Sequence, residues 1–211
     1  MAASPKFRRR KAERPTEIVD AALEVFAEKG FAGAKLDEIA ARAGVSKGAL
    51  YLYFATKEDL FRAVVGQAVA PNLTLLKAVA ASHPGPFRDL VRGVAGQLGV
   101  VAASSSLGGV LKMVVGEARN FPELARIWHD NVVAQGLDAI ATAIQAAQAR
   151  GEVRPGDPRT FALQLIAPVL VGVIWRETFV PVGARPFDLP ALIAQHIETV
   201  LGGMLTKEAH R

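Results

Sequence analysis

The stretch 36–54, with the sequence LDEIAARAGVSKGALYLYF, contains two short helical patterns joined by a turn. Apolar residues recur at helical spacing in its first half, and Gly44 stands where a helix can end in a left-handed conformation. Ser46 can then cap the next helix, in which Leu50 and Phe54 lie four residues apart and face inward. This pattern predicts a helix-turn-helix whose outward face has the composition of a DNA-reading surface.

These residues resemble the amino-terminal DNA-binding domain of the TetR family of bacterial transcriptional repressors. The similar run is DEIAARAGVSKGALYLYF followed by TKEDLF, and it extends back to Thr16 with TEIVDAALEVFAEKGF. The resemblance covers about the first quarter of the chain, and the remainder resembles the family only in being an apolar helical domain. Two departures are Ala34 and Lys35, where family members commonly have Ser or Thr, and Leu52 after the shared Tyr51.

The resemblance implies that the second helix of this unit enters the major groove of DNA. Lys47 would reach guanine acceptors or phosphate, Gly48 would allow close approach of the backbone, and Ala49 would touch a thymine methyl group. A solvated charge is the alternative for Lys47, and a half-buried packing residue is the alternative for Tyr51. The expected DNA-binding set is Arg8, Arg9, Arg10, Thr16, Lys35, Ser46, Lys47, Gly48, Ala49, Tyr51, Leu52, Tyr53 and Lys57.

The net charge of +5 is concentrated at the start of the chain. Residues 1–14 contain six Lys or Arg residues against Glu13 alone, whereas residues 15–211 contain 19 of each sign. Such a basic segment is either a solubilising tail or, beside a helix-turn-helix, an arm that contacts phosphates or the minor groove. The neighbouring motif favours the arm.

The composition predicts an all-α protein. Hydrophobic residues make up 51% of the 211 positions, alanine and leucine dominate, and alternating β-branched patterns are few. We expect about nine helices in two parts. Residues 1–56 form the helix-turn-helix domain with its basic arm, and residues 57–211 form a helical domain for effector binding and dimerisation. The first helix should begin at Thr16, and residues 121–150 should form one continuous helix.

The sequence contains no pattern typical of an active site, a cofactor site or a metal site. Cysteine is absent, so disulfides and thiolate chemistry are excluded. The glycines of the run GVAGQLG lie in a helical pattern without a preceding strand, so they do not predict a phosphate-binding loop. The four histidines lack metal-ligand spacing and are His83, His129, His196 and His210. We therefore expect a protein that is not an enzyme.

A membrane-spanning segment is not expected. The basic residues near the start are not followed by an apolar signal core, and the longest apolar run, 161–175, contains Gln164. That run is shorter than the ~18 residues that a membrane span requires. These features predict a soluble, cytoplasmic protein with no membrane partner.

The second part should bind a small-molecule effector and a second copy of the chain. The expected effector-binding residues are Met113, Glu117, Trp128 and His129, although such residues are more often part of a core. The last two helices carry more apolar surface than one domain of this size easily hides, which predicts a homodimer. The expected dimer-interface residues, for which the core of one chain is the alternative, are Leu165, Val169, Val173, Trp175, Leu192, Val200 and Leu201.

The leading hypothesis is a homodimeric transcriptional repressor that binds a double-stranded DNA operator, palindromic in sequence, and is released by an apolar or amphipathic effector. One alternative is an all-α enzyme or small-molecule-binding protein in which the first helices are only structural. Another is a DNA-organising protein without effector control. The motif together with the basic segment argues against the first alternative, and the long apolar helical part argues against the second.

Overall fold

The computed structural model describes the backbone of residues 6–83, 85–104, 107–207 and 209. It describes their side chains except those of 6–13, 68–73, 75–76, 80–82 and 103–104. Ten α-helices lie in this part of the chain, which confirms the all-α prediction. They are α1 Lys6–Gly33, α2 Leu36–Arg42, α3 Lys47–Tyr51, α4 Lys57–Ser82, α5 Phe87–Ser104, α6 Leu107–Glu117, α7 Pro122–Trp128, α8 Ala134–Ala149, α9 Pro158–Thr178 and α10 Leu189–Met204.

The prediction of one continuous helix over 121–150 is wrong, because a five-residue π-helical segment, His129–Val133, separates α7 from α8. Polar side chains bind the backbone and each other here: Gln135 Nε2 donates to the carbonyl oxygen of Asp130 at 3.2 Å, and His129 Nδ1 lies 2.8 Å from Asp130 Oδ1. Such bonds compete with the regular helical pattern. This break accounts for the tenth helix.

The first helix also differs from its predicted start. α1 begins at Lys6 and contains Pro15, so Thr16 lies inside the helix rather than at its cap. Proline inside a helix removes one backbone hydrogen bond and its ring clashes with the carbonyl group four residues earlier, so Pro15 makes this part of α1 less stable than an uninterrupted helix. The predicted stop is present, since Gly30 has φ 70° and ψ 175° and interrupts α1 before a last turn that ends at Gly33.

The helices form two compact units. The first contains the described residues up to Ala68 together with Gly109–Trp128, so it includes the helix-turn-helix, the start of α4, most of α6 and α7. Its core is built on Phe26, Phe31 and Phe61, whose ring centroids lie 5.5–6.1 Å apart. These aromatic side chains bury a large apolar area and hold α1 against α4.

The second unit contains Val69–Gly108 and residues from His129 onward. α10 packs against α5 and α9, and α8 packs against α9. Fully or almost fully buried side chains from these four helices form its core, among them Leu90, Ile144, Phe161, Leu165, Ile193, Ile197 and Leu201.

α9 is the one unbroken helix of the described residues that is long and apolar enough to cross a membrane. With the following turn it spans Pro158–Val182 at a mean hydropathy of 1.6. Length and composition alone define this property, and the core helices of soluble proteins share it. Only 17% of the segment's apolar window is buried inside this chain, so α9 leaves much apolar surface uncovered.

Candidate DNA-binding surface and effector cavity

The helix-turn-helix is held together by local contacts that the sequence predicts. Gly44 adopts φ 68° after α2, and the N–H of Val45 donates to the carbonyl oxygen of Ala40 at 3.0 Å. Ser46 Oγ accepts from the N–H of Ala49 at 3.1 Å and so caps α3. Leu50 is completely buried and anchors α3 on the core. The opposite side of α3 is therefore free to face a partner.

That opposite side carries several of the expected DNA-binding residues. The exposed members of the set on and beside α3 are Ser46, Lys47, Gly48, Tyr51 and Leu52, whereas Ala49 and Tyr53 are partly buried. Leu52 is 84% exposed and adds an apolar side chain to this side. We call the five exposed residues the α3 surface.

Lys47 is held by α2 in this structure. Its Nζ lies 2.8 Å from Asp37 Oδ1 and donates to Oδ2 at 3.0 Å. The hydrogen bond and the negative charge of Asp37 raise the pKa of Lys47, so the side chain carries its positive charge at neutral pH. Both groups are exposed, so this ion pair can exchange for another acceptor at little cost.

Lys57 has a role inside the protein that the sequence did not predict. Its Nζ donates to the carbonyl oxygens of Phe31 at 2.5 Å and Ala34 at 3.1 Å, and it lies 4.5 Å from the centre of the Phe31 ring. Partial burial lowers the pKa of Lys57. The expected contact with the DNA backbone thus competes with two hydrogen bonds that fix the end of α1.

The remaining expected DNA-binding residues lie apart from α3 along the chain. Lys35 precedes α2 and Thr16 lies within α1, and both are exposed. The backbone of Arg8, Arg9 and Arg10 continues α1, while their side chains lie outside the described part of the chain. The described part of the basic segment, from Lys6 onward, is therefore helical.

The four expected effector-binding residues differ in burial, and none of them lines the apolar cavity or the polar groove described below. Met113 is buried, Trp128 is partly buried, and His129 is exposed beside Asp130. Glu117 binds backbone amides of the first unit, at Phe31 and Ala32.

An apolar cavity lies instead within the second unit, between α5, α8, α9 and α10. Its volume is about 50 Å³, and none of the four residues above lines it. Every lining side chain is apolar, and the set includes Val94, Leu98, Ile140, Ala143, Val169 and Ile197. Its apolar lining suits a small apolar molecule or the apolar end of an amphipathic one, and the surrounding side chains would move apart to admit it.

A polar groove borders this cavity and shares three of its wall residues, Phe87, Leu90 and Ala143. Lys77 and Gln135 face each other in the groove, with Nζ 2.9 Å from Oε1. His83 also lines it, and its Nε2 is buried without a hydrogen-bond partner among the described residues. The second unit therefore offers an apolar interior next to groups that can bind a polar end.

The expected dimer-interface residues divide by burial. Leu165, Val173 and Leu201 lie in the core of one chain, because their side chains pack inside the second unit. Those that keep some exposed area are Val169, Trp175, Leu192 and Val200. More of α9 is exposed at Leu163, Leu170 and Val171, which lie on one side of the helix because they are seven and eight residues apart. We call these three residues the α9 stripe.

Comparisons with known proteins agree with this architecture. Residues 18–64 match the family described as bacterial regulatory proteins, tetR family, and residues 83–185 match the tetracyclin repressor-like C-terminal domain. The transcriptional repressor BepR of Brucella suis biovar 1 (strain 1330) is 29% identical over 196 residues, which cover 90% of this chain and 91% of BepR.

Among the solved structures with similar folds are these two. A TetR-family transcriptional regulator from Mesorhizobium loti has a TM-score of 0.76 and 26% identity, covering 93% of this chain and 99% of its own. SmeT, the repressor of a multidrug efflux pump in Stenotrophomonas maltophilia, has a TM-score of 0.78 and 23% identity in its complex with triclosan, covering 93% of both chains.

Proposed function

Because the chain belongs to the TetR family of bacterial regulatory proteins, it is a DNA-binding transcriptional regulator and not an enzyme, and we propose that it acts as a repressor. In this proposal a homodimer binds a palindromic operator in the cytoplasm, and a small apolar or amphipathic effector releases it. The α3 surface is the observation that supports the proposal. α3 is capped at its start and anchored on the core, and its opposite side exposes the ammonium group of Lys47, the phenol of Tyr51 and the backbone at Gly48.

The DNA contacts follow from the chemistry of the α3 surface. Lys47 can donate to guanine acceptors or to phosphate, and Tyr51 can donate its hydroxyl to phosphate. Gly48 lets the helix backbone approach the groove closely. The basic residues Arg8, Arg9 and Arg10 would add contacts to phosphate, which strengthen binding at every sequence and make it sensitive to salt.

The proposed homodimer is supported by the α9 stripe. Leu163, Leu170 and Val171 are 52%, 40% and 66% exposed in one chain, and an apolar surface of this kind is favourably buried against a second copy. A two-fold dimer presents two reading helices to DNA, which fits half-sites separated by about one ~34 Å helical turn or a small multiple of it. A palindromic operator has this arrangement.

The proposed effector site is the apolar cavity with the polar groove beside it. Triclosan, which is bound to SmeT, is a small apolar molecule of the class that this cavity suits. A ligand that binds the cavity better in the state that does not bind DNA must lower operator affinity by the same factor. The effector therefore acts without touching DNA.

The replacement Lys47→Ala tests the reading role of α3. We expect affinity for a preferred operator to fall by about tenfold, and preference at one base position to relax, because a donor to a base is lost. Fluorescence anisotropy with the operator and with a scrambled duplex measures both effects. Lys207→Ala removes an exposed lysine far along the sequence from α3 and should change neither. An equal loss for both duplexes would make Lys47 a phosphate contact only.

The replacement Ala143→Phe tests the cavity. We expect apolar compounds, triclosan included, to raise the melting temperature of the original protein and to lower its operator affinity, because ligand binding stabilises the state it prefers. The added ring should occupy the cavity and remove both effects while operator binding without ligand persists. Ala149→Phe, an exposed position of the same helix, is the control. A full ligand response in Ala143→Phe would place the effector elsewhere.

A further inference from the structure

The break in α1 at Gly30 exposes two backbone donors that a distant carboxylate binds. The N–H groups after a helix break resemble those of a helix start, which lack intrahelical acceptors. Glu117, the last residue of α6, supplies them: Oε1 accepts from Phe31 N at 2.9 Å and Oε2 accepts from Ala32 N at 2.8 Å. Both carboxylate oxygens are thus used on adjacent amides that lie 86 and 85 residues earlier in the chain.

The same short segment is held from its other side by Lys57. While Glu117 binds the N–H groups of the segment, the Lys57 ammonium binds the carbonyl oxygens of Phe31 and Ala34. The charged partner makes each of these hydrogen bonds stronger than one between neutral groups. We call this arrangement of Glu117, Lys57 and residues 31–34 the clasp.

Gly30 is fitted to the clasp as well as to the turn. Its φ of 70° lies in the left-handed region, and a Cβ atom built on it would overlap the carboxylate of Glu117. The carboxylate therefore occupies the space that any other residue at position 30 would fill. Backbone conformation and side-chain position at this site depend on each other.

The clasp lies immediately before the reading unit. α2 begins at Leu36, two residues after Ala34, and the turn to α2 continues with backbone hydrogen bonds from Glu38 and Ile39 to the carbonyl oxygen of Lys35. A change in the direction of residues 31–34 changes the direction in which α2, and with it α3, leaves α1. The clasp is thus placed to set the orientation of the α3 surface within the first unit.

We propose that Glu117 is a positioning residue for operator recognition, which holds the orientation of α3 through the amides of Phe31 and Ala32. This inference rests on the proposed function. It gives Glu117 a role different from the effector contact expected from the sequence. A group that orients a reading helix affects specific binding more than non-specific binding, because base contacts require a fixed geometry whereas phosphate contacts tolerate variation.

The test compares Glu117→Gln with Glu123→Gln, the same chemical change at an acid of the first unit that forms ion pairs with the side chains of Arg126 and Arg62. The DNA probes are a duplex selected from a random pool by the original protein and a scrambled duplex of equal length. An amide side chain can accept one of the two bonds. We therefore expect Glu117→Gln to lose about tenfold in affinity for the selected duplex and less than about twofold for the scrambled one.

Hydrogen exchange provides the second measurement. The amides of Phe31 and Ala32 should exchange faster in Glu117→Gln, with unchanged exchange in α4, and Glu117→Asp should restore part of the specific affinity because it keeps the carboxylate. Equal losses for both duplexes, or faster exchange without a change in the affinity ratio, would overturn the positioning role. If the original protein selects no duplex, the proposed function fails first, which is a different result.

Discussion

Replacing Phe31 with alanine should lower the free energy of unfolding of the first unit by about 3–5 kcal/mol. The side chain is only 1% exposed, and its ring lies within 5.2–6.1 Å of the rings of Phe26, Phe61 and Phe121. Removing it leaves a cavity among these rings and also removes the aromatic face beneath Lys57. Buried aromatic truncations are among the most destabilising single changes.

Tryptophan fluorescence can follow this unit separately during urea denaturation. The chain has two tryptophans, and Trp128 belongs to the first unit whereas Trp175 belongs to the second, so a Trp175→Phe background reports on the first. Val115→Ala, at a side chain of the first unit that is 64% exposed, is the control and should cost far less. Similar costs for the two changes would mean that Phe31 is not central to the core.

Introducing a charge on the α9 stripe with Val171→Glu should convert the proposed dimer into a monomer and reduce operator affinity by more than about 100-fold. A carboxylate buried against an apolar surface without a partner is strongly unfavourable. DNA affinity falls because a monomer binds only one half-site. In the dimer, binding of one half-site raises the effective concentration of the second reading helix at the other half-site, and a monomer lacks this gain. Light scattering after size-exclusion chromatography gives the mass, and anisotropy gives the affinity.

Val100→Glu makes the same change at a valine of α5 that is 63% exposed, close to the 66% of Val171. We expect this variant to keep the dimer and its operator affinity. The opposite result, a dimer with Val171→Glu and a monomer with Val100→Glu, would show that the dimer interface lies on another face of the second unit.

Local signals explain why much of the fold could be predicted from the sequence. Gly44 requires a left-handed conformation, Ser46 caps α3, and Thr56 caps α4 by accepting from the N–H of Asp59 at 3.0 Å. Each of these acts within about four residues, so the pattern of the sequence contains it. The side chains of Asp157 and Asp188 cap α9 and α10 over the same short distance.

The features that escaped prediction depend on residues far apart in the chain. Glu117 and Phe31 are separated by 86 residues, and the local sequence around each of them does not indicate a hydrogen bond between the two. The apolar cavity escaped for another reason. Residues such as Leu90, Val94 and Leu98 recur at the spacing of an ordinary buried helix face, so the sequence pattern is the same whether the space beside them is filled or empty.

The ion pair between Lys47 and Asp37 bears on how the regulator finds its target in a genome. A protein that slides along DNA is held by contacts with phosphates. During sliding Lys47 can remain bound to Asp37, and the affinity of the protein for non-specific DNA is then lower because Lys47 does not contribute to it. At the correct site a guanine edge can replace the carboxylate as the acceptor. We expect Asp37 to compete with DNA acceptors for the Lys47 ammonium, so that residence on DNA lengthens most where a base accepts from Lys47.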